Sequence, residues 1–143
     1  MQGLRRRVVY VTLFELFAIG FASLGFVAVS GQDITASSGA AAACSAIAIV
    51  WNVLFNHAFE RWESRQAQRR RTLMRRVAHA VGFESGLTLF LVPLMAWWLG
   101  VSLWQAFWMD IGLLLFFLGY AFVFNWLFDR VFGPPLSAVA PAA

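Results

Sequence analysis

Two glutamates stand alone in apolar surroundings. Glu15 interrupts a run from Val8 to about Val29, and Glu84 interrupts one from Val77 to about Leu99, with no Lys or Arg inside either. Removing water disfavours the carboxylate anion, so such a group holds a proton or attracts a cation. Proton exchange and cation binding are the chemistry these two can do. A second set, Asn52, Asn56 and Glu60, is spaced i, i+4, i+8 and forms one polar stripe on a helix. Asn125 and Asp129 repeat two of its positions, with Ala121 in place of Asn52. At 1.5 Å per residue, Glu15 lies about 12 Å in from Arg7 and Asn52 about 13 Å in from Arg61. They are therefore level, and Asn52 is placed to hydrogen-bond whatever Glu15 binds. Phe14, Trp51 and Phe55 offer ring faces to a delocalised cation there. Asn56 and Asn125 read more plainly as hydrogen bonds between helices. Glu60 and Asp129, beside Arg61 and Arg130, read as surface charges or structural pairs. His57 and His79, near the same boundary, read as hydrogen-bonding residues, with a proton relay as the alternative. Asp110, near the outer end of the last apolar run, reads as interfacial. No metal-ligand cluster, Gly-rich phosphate loop or nucleophile with a partnered base is present, so neither an enzyme nor a cofactor is expected.

The elements that position these groups follow from composition. Of 143 residues, 61% are hydrophobic and 13% charged, and all 11 basic residues are Arg. A soluble chain this short could not cover so much apolar surface with so few charges. Four runs reach the ~20 residues that a spanning helix needs: Val8 to Val29, Ile34 to Phe59, Val77 to Leu99, and Leu103 to Phe128. Unbroken Leu, Phe, Ala and Trp content argues for helices over barrel strands, which alternate. Gly31-Gln32-Asp33 and Gly100-Val101-Ser102 make two tight hairpins. Arg5 to Arg7 followed by an apolar run and Ala28-Val29-Ser30 resemble a cleavable signal, but the run is too long and carries a carboxylate. Every Arg falls on one side of the spans and none on a hairpin tip, which predicts cytoplasmic termini and hairpins outside. The Arg69-Arg70-Arg71 run serves topology and anionic lipid. Its charge sits in short blocks, so no nucleic-acid groove is expected. Trp51, Trp62, Trp97, Trp98, Trp104 and Trp108 fall mostly near span ends, as an aromatic belt does. Cys44 is a small packing residue.

Glu84 follows Glu15 by 69 residues, and the same shift lays Arg7 through Phe14-Glu15 over Arg76 through Phe83-Glu84. It also lays Trp51 through Asn56, Phe59-Glu60-Arg61 over Tyr120 through Asn125, Phe128-Asp129-Arg130. Matches at rare polar residues mark an internal repeat. The expected organisation is a first two-helix unit at 5–61, an Arg-rich loop at 62–75, a second unit at 76–130 and a tail at 131–143. Each unit returns the chain to its starting side, so the copies insert in the same direction about an axis along the membrane normal. The fold class is an all-α membrane protein, a four-helix bundle of two parallel repeats.

These four motifs resemble those of the proteobacterial antimicrobial compound efflux family, built of tandem bacterial transmembrane pair domains. The family pattern Arg-x-x-His-x-x-x-Phe-Glu is met by Arg76, His79, Phe83 and Glu84, while the first copy has Tyr10 at the histidine position. The closing pattern is met by Trp51-Asn52, Phe55-Asn56 and Phe59-Glu60, and again from Tyr120 to Asp129. The resemblance covers residues 5 to 132. It implies a proton-coupled exporter of cationic biocides such as chlorhexidine and acriflavine, with short-chain diamines as natural substrates, in a bacterial inner membrane. It places the coupling role on Glu15; Glu84, at a similar depth, is a second site, and Tyr10, His79, Asn125, Glu60 and Asp129 are read as structural or relay residues. The rival readings are a non-transporting membrane assembly module and a proton or cation channel. A homodimer is expected, because four helices enclose little room for a bulky cation and small residues are dense from Ala40 to Ala48.

Overall fold

The computed structural model describes residues 3–66 and 72–133. The Arg run at 69–71 and the tail beyond 133 lie outside the described residues. Four helices account for nearly all the rest: α1 Gly3–Ser30, α2 Ile34–Ser64, α3 Leu73–Leu99 and α4 Leu103–Phe132. All four are long and apolar enough to cross a membrane. At 28 residues, α1 is about 42 Å long, so it extends beyond a ~30 Å hydrocarbon core.

The hairpins are built alike. Gly31 and Gly100 adopt φ of 71° and 65°, the left-handed geometry that ends a helix without a Cβ penalty. Two residues on, Asp33 accepts a hydrogen bond from the Ala36 amide at 2.8 Å, and Ser102 accepts one from Gln105 at 3.0 Å. Each side chain satisfies an orphan amide of the next helix. Both pairs are 69 residues apart, so the repeat extends through the turns. The tips are also tied to each other, because Gln32 donates to the Leu99 carbonyl and Gln105 to that of Val29.

Consecutive helices pack side by side, and α4 closes on α1 through the thinnest seam. The main buried cluster lies towards the hairpins. It comprises Ala22, Phe26, Ala40, Ala41, Cys44, Leu91, Met95, Leu99, Ala106 and Met109. Ala40, Ala41 and Cys44 let the helices approach within this one chain. The small residues of α2 expected to serve a second copy are thus largely used internally, and of that stretch Ala42 and Ala46 remain exposed. Trp62, Trp97, Trp104 and Trp108 are exposed near helix ends, as an aromatic belt requires.

Candidate functional site

At mid-bundle, from Glu15 and Asn52 to Phe26 and Ala41 beside the hairpin core, the helices part around a cavity of about 680 Å³, lined from all four. Glu15 of α1 and Glu84 of α3 both reach it. They occupy matching repeat positions, and helices that leave the basic side in the same direction carry them to the same depth. Asn52 lines the cavity too, as do Phe14 and Phe83. Ser45 of α2 donates to Glu15. None of the described lining residues is basic.

Asp110 differs from its sequence reading. It is not interfacial; it is 3% exposed and lines the same cavity. Thr88 of α3 donates to its Oδ2 at 2.6 Å. The reason is one of counting and direction: eight residues past Ser102 carries it about 12 Å in from the hairpin end, and its face turns to the bundle axis.

Three of the expected substrate-binding residues are elsewhere. Trp51, Phe55 and Asn56 do not line the cavity; they fill the seam between α2 and α3. The Trp51 indole donates from Nε1 to the Phe83 carbonyl at 2.9 Å and lies against Gly86. Phe55 packs on Gly82, His79 and Phe83. Asn56 is 2.8 Å from Nε2 of His79. Successive α2 rings at i and i+4 thus fit a groove made by glycines at i and i+4 on α3. That glycine pair, in Gly82-Phe83-Glu84-Ser85-Gly86, was the signal available in the sequence, since small residues allow close approach in membranes.

The other cross-repeat seam, α4 on α1, repeats this plan. Tyr120, the counterpart of Trp51, donates to the Phe14 carbonyl at 2.8 Å. Tyr10, the counterpart of His79, donates to Asn125 at 2.7 Å. Phe124 and Phe128 stand edge-on to Tyr10, much as Phe55 and Phe59 stand to His79. The motif that closes each repeat therefore clasps the motif that opens the other, and each aromatic donor holds the backbone one residue before a cavity glutamate. Asn125, Tyr10 and His79 are seam residues. Asp129 pairs with Arg6 of α1 rather than with the adjacent Arg130, and the Arg6 guanidinium lies 4.9 Å over the Phe128 ring. Arg75, 69 residues after Arg6, sits over Trp62 at 5.7 Å. Glu60 and His57 are exposed and do not line the cavity.

The arrangement can do one kind of chemistry: present carboxylates to a cation or proton in a space that also offers an amide and aromatic rings. Comparison with known proteins agrees in kind. The family described as chlorhexidine efflux transporter matches twice in tandem, over residues 2–65 and 71–134. A short-chain diamines transporter of Acinetobacter baylyi is 36% identical over 129 residues, covering 89% of both chains. One of Vibrio parahaemolyticus is 35% identical over 126 residues, covering 87% of this chain and 89% of its own. A third, from Acinetobacter baumannii, is 34% identical over 129 residues, covering 89% and 88%. No solved structure matches the chain.

Proposed function

The chain belongs to the chlorhexidine efflux transporter family, and from that membership we propose that it exchanges protons for cationic antimicrobial compounds or short-chain diamines, with Glu15 as the group they share. It is a multi-pass membrane transporter. The observation that carries the finer reading is Glu15 in a four-helix cavity whose described lining residues include no basic group to neutralise it. Protonated, Glu15 is neutral and tolerable in the membrane. Deprotonated, it draws in a cation whose charge offsets the cost of burial. Proton and cation exclude one another on one carboxylate. If only the occupied forms change the side they face, inward proton movement drives outward cation movement. Asn52 and Phe14 border the same space and supply a hydrogen bond and a ring face.

On this reading the protein sits in the bacterial inner membrane with both termini cytoplasmic, since the basic residues flank one side only. The working unit is a homodimer, with exposed Ala42 and Ala46 of α2 available for close approach and a second copy adding room for a bulky cation. Crosslinking in lipid that yields monomers alone across a range of pH would remove the dimer from the reading.

Proteoliposomes decide between the rivals. An exchanger moves protons when cation is added, a channel moves them without it, and an assembly module moves neither. Glu15→Gln keeps size and hydrogen bonding but carries no charge. The expected result is an inserted protein with export and substrate-driven proton flux reduced at least tenfold, about 1.4 kcal/mol or more. Glu84→Gln is expected to be milder. Normal coupled export by Glu15→Gln would refute the shared site and pass the role to Glu84.

A further inference from the structure

Asp110 is a cavity carboxylate to which neither the repeat nor proton exchange at Glu15 gives a role. It has no repeat counterpart, since the position 69 residues earlier is Ala41. It is 3% exposed, and while Thr88 occupies Oδ2, Oδ1 has no hydrogen-bond partner among the described residues. That oxygen is open to the cavity, where a cation that enters can pair with it. No described lining residue can supply a positive charge.

Its level in the cavity follows from Thr88. Thr88 is four residues past Glu84 on α3, hence on the same face and one turn, about 6 Å, nearer the hairpins. The Thr88 hydrogen bond holds the Asp110 carboxylate at that turn. Glu15 stands at the level of Glu84 by the repeat. The cavity thus presents carboxylates at two heights, separated by roughly the length of a few methylene groups. No three of the described His, Cys, Asp and Glu side chains are grouped to hold a metal ion. The separation fits an organic cation with two charged ends.

We infer that Asp110 is the specificity-determining residue of the cavity: it holds the second ammonium of a short aliphatic dication whose first ammonium sits at Glu15, and Thr88 fixes its carboxylate for that purpose. The inference rests on the reading of this cavity as the cation site. A monocation satisfies Glu15 and leaves Asp110 unpaired, so length and charge number are both selected.

Calorimetric titration of the full-length protein in nanodiscs with 1,4-diaminobutane and with n-butylamine tests this. The wild-type protein is expected to bind the diamine at least about tenfold more tightly than the monoamine. Asp110→Asn is expected to bring that ratio close to one while monoamine affinity stays within about twofold. Asp110→Glu is expected to keep a preference but to favour a shorter diamine, because its carboxylate reaches further into the cavity. Thr88→Val, which leaves the charge but frees its position, is expected to lower the ratio in the same direction. A wild-type ratio near one, or a wild-type ratio retained by whichever of Asp110→Asn and Thr88→Val folds, overturns the inference. The transport reading fails differently, by wild-type proteoliposomes moving no cation at all.

Discussion

Glu15 and Glu84 hold equivalent places but meet different neighbours: Ser45 donates to Glu15, whereas Glu84 shares its helix with Thr88, which holds Asp110. Both glutamates were legible in the sequence because a carboxylate in an apolar run has few places to go. Asp110 was not, because a helix apolar all round carries no periodicity to say which way one residue points. Counting from the hairpin would have given its depth, but only packing against Thr88 gives its direction. Smaller effects are also decidable at this scale. Tyr120 holds the Phe14 carbonyl through its hydroxyl, while its ring packs on Phe14, Phe116 and Phe124. Tyr120→Phe removes the first and keeps the second. Hydrogen bonds between membrane helices average about 0.6 kcal/mol, so thermal unfolding in detergent is expected to fall by only a degree or two. A loss above about 2 kcal/mol would mean that the hydroxyl does more than tie two helices.

Helix against helix, the α2–α3 seam depends on two missing side chains. A Cβ on Gly86 would lie 2.1 Å from the Trp51 ring, and one on Gly82 3.2 Å from Phe55. Gly86→Ala must therefore expel the indole and break its bond to the Phe83 carbonyl. Overpacking of this kind costs about 1–3 kcal/mol, and the lost hydrogen bond adds to it. Gly112→Ala on α4 meets nothing within 4 Å and is expected to be neutral or slightly stabilising. Melting temperatures of the two variants side by side check this; equal shifts would show that the seam yields more easily than its contacts imply. The sequence reading offered the Trp51 and Phe55 ring faces to a cation because both stand near Asn52, at about the depth of Glu15. Depth does not say which way a ring points, and here both rings meet glycines of α3. The hairpin caps, by contrast, were readable in full: Gly31 with Asp33 and Gly100 with Ser102 combine a helix stop and a helix start at fixed offsets.

Across the whole molecule, a packed core towards the hairpins adjoins a mid-depth cavity that all four helices line. Topology can be read chemically in a Cys44→Ala background, with single cysteines at Asp33 and Ser102. Both are expected to react with a membrane-impermeant thiol reagent added outside intact cells. Reaction at Ser102 only after permeabilisation would overturn the proposed orientation. The four spans and their pairing into repeats were legible because length, Arg placement and the 69-residue match constrain one another. The cross-repeat clasp was not, because it needs knowledge of which seams form. The repeat axis itself has a mechanical corollary. Rotation about an axis along the membrane normal carries each end of the bundle onto itself and never onto the opposite end. Transporters with inverted halves can reach their opposite-facing form when the halves trade shapes. No such operation relates the two faces of this chain. On the proposed exchange reading, the form open to the other side is a separate energy well with contacts of its own, and residues at the hairpin tips such as Gln32 and Gln105 can tune its depth without touching the cavity carboxylates.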